Sequence, residues 1–256
     1  ASLGVKLFTG NTRNVNLTRS GHDLIAHATK VVNHISGIHR EIGQQKSVTG
    51  LLRLGVVDSI ALTWLPELVA KIRTKYPGVR LELLVDLTAN LKEKLNASEL
   101  DVAILLGPIA SNQLISEKLN LVEVSWMASP ELGIPYRIMT PHELSSYPAI
   151  SHTKGTDHYH MMRNWFIKAG AKLPMMNGCS SLSTLIQLTV SGIGMSILPV
   201  GITARETKCN KLRMIKTNPI LAQNLFEVVW PVESTQPMDA EIAKLAVECS
   251  SDYMNI

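Results

Sequence analysis

Residues 50–107 read GLLRLGVVDSIALTWLPELVAKIRTKYPGVRLELLVDLTANLKEKLNASELDVAILLG, and this stretch decides the fold. LLRLGVV is an apolar run of strand length ending at Asp58-Ser59, a pair suited to cap a helix. IALTWLPELVAKIRTKYPG reads as a helix stopped by Pro77-Gly78, with Pro66 marking a kink or a helix start. VRLELLVD is then a strand, LTANLKEKLNASE a helix, and LDVAILLG a strand. Strands alternating with helices predict an α/β fold with a parallel, doubly wound sheet.

Downstream, from about residue 115, the scheme repeats. LVEVSWMA, AISHTKGT, MSILP and NLFEVVWP have strand character. PHELSSYP, DHYHMMRNWFIKAG, SSLSTLIQLTVSG and MDAEIAKLAVECSSDYM have helix character. Two α/β units joined by strand-like crossovers imply a cleft between them, a common place for a small-molecule site.

Upstream lies a different kind of sequence. Leu24, Ala28, Val31, Ile35, Ile38 and Ile42 follow one another at spacings of 4, 3, 4, 3 and 4 within residues 18–46, with Thr18 as a plausible N-cap. This is a heptad seam on an otherwise polar helix, which suits a partner helix better than a globular core. The alternative is a helix lying on its own domain. Residues 1–17 hold an apolar cluster, the polar turn GNTRN and a short alternating piece, two extended arms that fit a hairpin too small to fold alone. They read as a fragment of a larger unit that would begin upstream.

Charge follows the same division. Residues 1–50 carry six basic side chains against Asp23 and Glu41, and the other 206 residues are balanced, so the whole net charge of +4 sits near the N-terminus. That asymmetry fits a polyanion near this end or a solvated basic helix. The composition, 45% hydrophobic and 18% charged, excludes a disordered or fibrous chain. No apolar run has the ~18 residues of a membrane helix, and the N-terminus shows no signal peptide, so no membrane partner is expected. Cys179, Cys209 and Cys249 have neither zinc nor CxxC spacing and read as free thiols of a cytoplasmic protein.

These residues resemble the LysR-type transcriptional regulators. Leu3-Gly4, Leu7-Phe8, Arg13, Val15, Leu17-Thr18 and Gly21 match the family's wing. The heptad helix resembles its linker helix, TGLLRLGVVDSIALTWLPELVAKIRTKYPGVRLEL the start of its effector-binding domain, ELDVAILLGP its first crossover, and LIQLTVSGIGMSILP its "LVAAGLGIALLP" element. The chain departs from the family in lacking the helix-turn-helix before the wing, and in having Gly10 where an Arg is usual.

The resemblance implies two doubly wound subdomains of periplasmic-binding-protein type joined by crossover strands, preceded by a long dimerisation helix. The residual wing would be 1–17 and the linker helix 18–46. Subdomain I would be 50–112 with 229–256, and subdomain II 113–228. It also implies a homodimer or homotetramer, a small-molecule effector between the subdomains, and operator DNA bound by the intact protein, with Lys6, Arg13 and Arg19 near phosphates.

Ser59 is either a plain cap or an anion-binding hydroxyl at a helix start, and the resemblance favours the second because Ser59 matches an effector-contacting Ser/Thr of the family. Thr156 stands at the equivalent junction of the second unit, which makes a small anion, a carboxylate ahead of a phosphate, the expected effector. The candidate ligand-binding set is Ser59, Ile60, Gly107, His152, Gly155, Thr156, Ser181 and Pro199. Ser180, Ser181, Ser183 and Thr184 supply hydroxyls or redundant caps. The HTKGTDHYH run does not place His158 and His160 on one face, so no metal is expected. Gly192-Ile193-Gly194 precedes a strand rather than following one and reads as a helix C-cap, so no cofactor is expected. No catalytic motif is present, so no enzyme is expected. The competing functions are a solute-binding protein of a transport system and a small α/β enzyme.

The seam predicts self-association. Ile35→Glu would bury an unpaired ion in it, and sedimentation should show weakened assembly. Unchanged assembly would place the contact on other surfaces.

Overall fold

The computed structural model describes residues 4–11, 14–21, 23, 24, 27, 28, 31, 49–232, 234 and 237–254. Strands β1 (Phe8–Asn11) and β2 (Asn14–Leu17) form the expected hairpin, with Phe8 opposite Leu17. Thr18 then caps a helical start: its hydroxyl accepts from the Gly21 N–H at 3.0 Å and donates to the Lys6 carbonyl at 2.8 Å. Among the seam residues, Leu24 is half-buried while Ala28 and Val31 are exposed. Ile35, Ile38 and Ile42 lie outside the described residues, as does Arg13.

The first lobe is built on a five-stranded sheet of order β4-β3-β5-β12-β6. Its strands are β3 (Thr49–Val56), β4 (Gly78–Val85), β5 (Val102–Leu106), β6 (Leu114–Val122) and β12 (Asn224–Pro231). The first three run parallel, as the alternation with helices requires, and β12 inserts antiparallel between β5 and β6. The sheet is therefore mixed rather than purely parallel.

The helix expected after Val56 is two pieces. α1 (Asp58–Ala61) is a single turn, and α2 (Leu65–Lys75) starts one residue before Pro66, where the missing N–H costs nothing. α3 (Thr88–Asn96) follows β4, and α8 (Pro237–Met254) closes the lobe. Leu52, Leu54, Val102, Ile104, Val228 and Ile242 are fully buried between sheet and helices. β5 is buried along almost its whole length, as VAILL predicts for a central strand. Its entry is fixed by Asp101, 6% exposed, which takes the Arg53 backbone N–H at 2.8 Å and two guanidinium bonds at 2.7 and 3.2 Å.

The second lobe contains β7 (Val124–Ala128), α4 (Pro141–Leu144), β8 (Ala149–His152), α5 (Asp157–Lys168), β9 (Met176–Cys179), α6 (Leu182–Val190), β10 (Ser196–Pro199), α7 (Ala204–Lys208) and β11 (Arg213–Ile215). β10-β7-β11 form an antiparallel sheet, and β8 pairs parallel with β9. The Ile150 N–H to Met195 carbonyl bond, 2.8 Å, links the two. The core centres on Trp126, whose ring lies 5.2 Å from Trp165 and 5.6 Å from Phe166. Gly192 at φ +73° ends α6 in the left-handed conformation that glycine adopts without strain, as the C-cap reading expects.

One boundary needs correction. Residues 113–228 do not form the second lobe as a block, because β6 and most of β12 are strands of the first sheet. The chain crosses between lobes just after Val122 and again between Ile215 and Asn224.

Candidate functional site

A cleft of about 820 Å³ lies between the lobes. It is floored by strand ends and walled by helix starts. From the first lobe come Val57, Asp58 and Ser59, then Asp86 to Asn90 with Lys92, then Leu106 to Ile109 and Phe226. From the second come His152, Lys154 to His158, Ser180 and Leu182.

Of the expected site residues, Ser59, Gly107, His152, Gly155 and Thr156 line this space. Ile60, Ser181 and Pro199 do not. Ile60 points the other way along its turn and is 2% exposed in the first core. Pro199 is buried in β10 opposite Val124. Ser181 caps α6, accepting weakly from the Thr184 N–H at 3.4 Å, and pairs with the Ser183 hydroxyl at 2.9 Å, so its neighbours Ser180 and Leu182 face the cleft instead.

The two junction hydroxyls differ in a way that spacing alone does not reveal. Thr156 is a working cap: its Oγ1 accepts from the Tyr159 N–H at 3.2 Å and donates to the Thr153 carbonyl at 2.9 Å. Ser59 is not a cap. Val57 holds that position and no side chain caps α1. The Ser59 hydroxyl is a cleft-lining group with no hydrogen bond among the described residues. The loop before α5 needs Gly155, whose φ of +91° a side chain would oppose.

Several cleft residues escaped the sequence reading: Asp86, Thr88, Asn90 and Lys92, at the β4–α3 junction. The signal was present, since VD-LT repeats the strand-to-helix grammar of VV-DS. Here too much polarity is already spent. Asp86 accepts from the Leu87 N–H at 2.7 Å and the Asn90 amide at 2.8 Å, and Thr88 accepts from the Leu106 N–H at 3.2 Å.

Two contacts span the lobes beside the cleft. Asp58 Oδ2 accepts the first N–H of α6, that of Leu182, at 2.9 Å. The Asn224 amide donates to His158 Nε2 at 2.9 Å. His158 and His152 stack edge to face with ring centres 5.1 Å apart. Burial first, then the neighbouring His152, pushes His158 down to about 4, so its Nε2 is free to accept the Asn224 proton. His152 is also held low by burial, with Asp58 pulling the other way. It is 8% exposed, and its Nδ1 has no partner among the described residues. His160 is exposed outside the cleft, and no group of three or more potential metal ligands occurs among the described residues. Lys6 and Arg19 are exposed beside the hairpin.

The sequence and the fold are similar to those of known regulators. The LysR substrate binding domain family matches residues 45–242. The chain belongs to the LysR-type transcriptional regulators. That family decides between the regulator and the two alternatives, the transport protein and the enzyme.

Among its relatives, the regulator GltR of Bacillus subtilis is 27% identical over 212 residues, covering 82% of this chain and 70% of GltR. BbuR of Bordetella bronchiseptica is 25% identical over 214 residues, covering 82% of this chain and 65% of BbuR. The LysR-type chain thus spans about two thirds of these regulators' length. Full-length OxyR from Pseudomonas aeruginosa, a variant, superposes with TM-score 0.72 at 21% identity, covering 97% of this chain and 80% of that one. Full-length LysG from Corynebacterium glutamicum, solved with bound effector Arg, superposes with TM-score 0.69 at 14% identity, covering 96% and 82%. Both confirm the two-lobed α/β fold. No helix among the described residues is long and apolar enough to cross a membrane.

The His158 environment predicts a pH dependence. Its folded value, about 4, lies below the ordinary 6.5, so the unfolded chain takes up its proton first as pH falls. The stability that neutral His158 confers is complete above pH 6.5 and is lost on descending toward 4, by about 3 kcal/mol. Denaturant titrations across that window should show a shallower acid loss for His158→Gln. An identical slope would contradict the assignment.

Proposed function

We propose that this chain is the effector-sensing portion of a LysR-type regulator, in which a small molecule carrying a carboxylate binds between the lobes and biases how subunits pack. The observation that carries the reading is the cleft itself. Its unspent polar groups, the Ser59 hydroxyl and His152 Nδ1, lie among the starts of α3 and α5, whose first N–H groups and positive dipole ends favour an anion. Lys92 and Lys154 add mobile positive charge. Binding across the gap gives the ligand different contacts in open and closed arrangements, which is the requirement for shifting a conformational equilibrium.

The rest of the chain would transmit that shift. Residues 18–46 would pair two subunits as a dimer, or a tetramer through further contacts. The exposure of Ala28 and Val31 on one copy supports a seam awaiting a partner. In the intact protein, residues 1–17 would complete the wing of a DNA-binding head. Lys6, Arg13 and Arg19 would touch operator phosphates, positioning the head without reading bases.

The test is a thermal-shift screen of metabolites followed by titration of the hits. Ser59→Ala should weaken a carboxylate ligand about tenfold or more, through loss of one charge-assisted hydrogen bond, with little change in the unliganded melting temperature. Thr156→Ala should instead cost about 1 kcal/mol of stability as a lost cap. A neutral apolar molecule as best ligand, or undiminished carboxylate binding by Ser59→Ala, would overturn the reading.

A further inference from the structure

We propose that Asp58 makes the cleft select a particular acid: one that carries a hydrogen-bond donor, an ammonium or a hydroxyl, beside its carboxylate. The inference rests on the carboxylate reading above and goes beyond it in ligand class. Four observations carry it.

First, Asp58 is fixed. Its Oδ2 receives the Leu182 N–H from the opposite lobe at 2.9 Å, which places its carboxylate at the start of a nine-residue helix. The N-terminus of α6 therefore already has its negative charge, and a ligand carboxylate arriving there would meet Asp58. Second, the other oxygen is unspent. Asp58 lines the cleft, its Oδ1 accepts no hydrogen bond among the described residues, and Asp58 forms no ion pair there. Third, its neighbour is a buried group without a partner. His152 feels the Asp58 charge, is 8% exposed, and its Nδ1 has no partner among the described residues. It supplies no fixed cation to neutralise Asp58, because burial favours its neutral form. Fourth, the charges are unevenly spread. Asp58, Asp86 and Asp157 line the cleft with Lys92 and Lys154, so the cleft matches one acid group better than two.

A ligand that satisfies these constraints places its carboxylate toward the starts of α3 and α5, within reach of Lys92 and Lys154. It turns a donor toward Asp58 Oδ1. A plain dicarboxylate of the same skeleton would set its second charge against Asp58 in a space that is partly closed to water, where like charges repel strongly.

The experiment uses a matched panel: for each carbon skeleton from three to six atoms, the plain acid, the hydroxy acid, the amino acid and the dicarboxylate. Each is titrated calorimetrically into the wild-type chain and into Asp58→Asn, which keeps an oxygen to receive the Leu182 N–H. In the wild type, the tightest-binding skeleton should favour its amino or hydroxy member over the plain acid and the dicarboxylate by about tenfold or more. In Asp58→Asn that preference should collapse, with the dicarboxylate gaining affinity. If Asp58→Asn does not fold, Asp58→Ser reads the same ratio, and the wild-type ratio alone is decisive when it is near one. Acids that bind without discrimination, or discrimination unchanged by the variants, overturn this inference and leave the carboxylate reading standing. A panel in which no acid binds overturns both.

Discussion

β12 must lie antiparallel between β5 and β6, and the functional geometry of the molecule follows from that placement. A strand contributed from the far end of the chain completes the first sheet, so the second lobe is an excursion that leaves after β6 and returns before β12. The two crossings lie side by side, with Asn224 at the start of β12 opposite Val122 at the end of β6. They oblige the strand ends of one lobe to face those of the other, and strand ends in α/β structures are where helices begin. The cleft is thus ringed by helix starts because of topology, and three apolar residues at the heart of β12, Val228 and Val229 at 0% exposure and Phe226 at 3%, hold that topology in place.

Within the cleft, the division between polar groups that hold the fold and polar groups that remain available gives the site its character. Thr156, Thr88 and Asp86 spend their oxygens on nearby backbone and on a neighbouring amide. Asp58 and the Asn224–His158 pair span the lobes and so are structural and strategic at once. What is left over among the described residues is small: the Ser59 and Ser180 hydroxyls, the His152 Nδ1, one Asp58 oxygen, the Asp157 carboxylate and a pair of lysines. A cleft with few unspent groups, each in a distinct place, suits recognition of a small polar molecule by position rather than by bulk charge.

Much of this was legible beforehand. Nearly every strand and helix named from residues 50–107 and the repeat beyond is present, because an apolar run followed by a capping residue reports local structure well. The motif resemblance also led to the family. What eluded the sequence reading was non-local. β12 reads as an ordinary strand, and no local signal says that NLFEVVWP pairs with residues more than a hundred positions earlier, so the lobe boundaries at 113 and 228 were misplaced. The Asp58 bond to Leu182 spans 124 positions and is invisible for the same reason. The roles of Ser59 and Ser181 turned on helix phase: the cap fell on Val57, two residues before Ser59, and Ser181 faced its own helix rather than the cleft.

The central claim is that a small acid binds between the lobes, against Ser59 and the loop before α5. The most direct measurement is a crystal structure with the best ligand from an unbiased metabolite screen. The account predicts ligand density inside the cleft, a carboxylate within hydrogen-bond distance of the Ser59 hydroxyl or of the first N–H groups of α3 or α5, and a changed angle between the two sheets. Ligand density at any other surface, with the cleft occupied only by water, would contradict it.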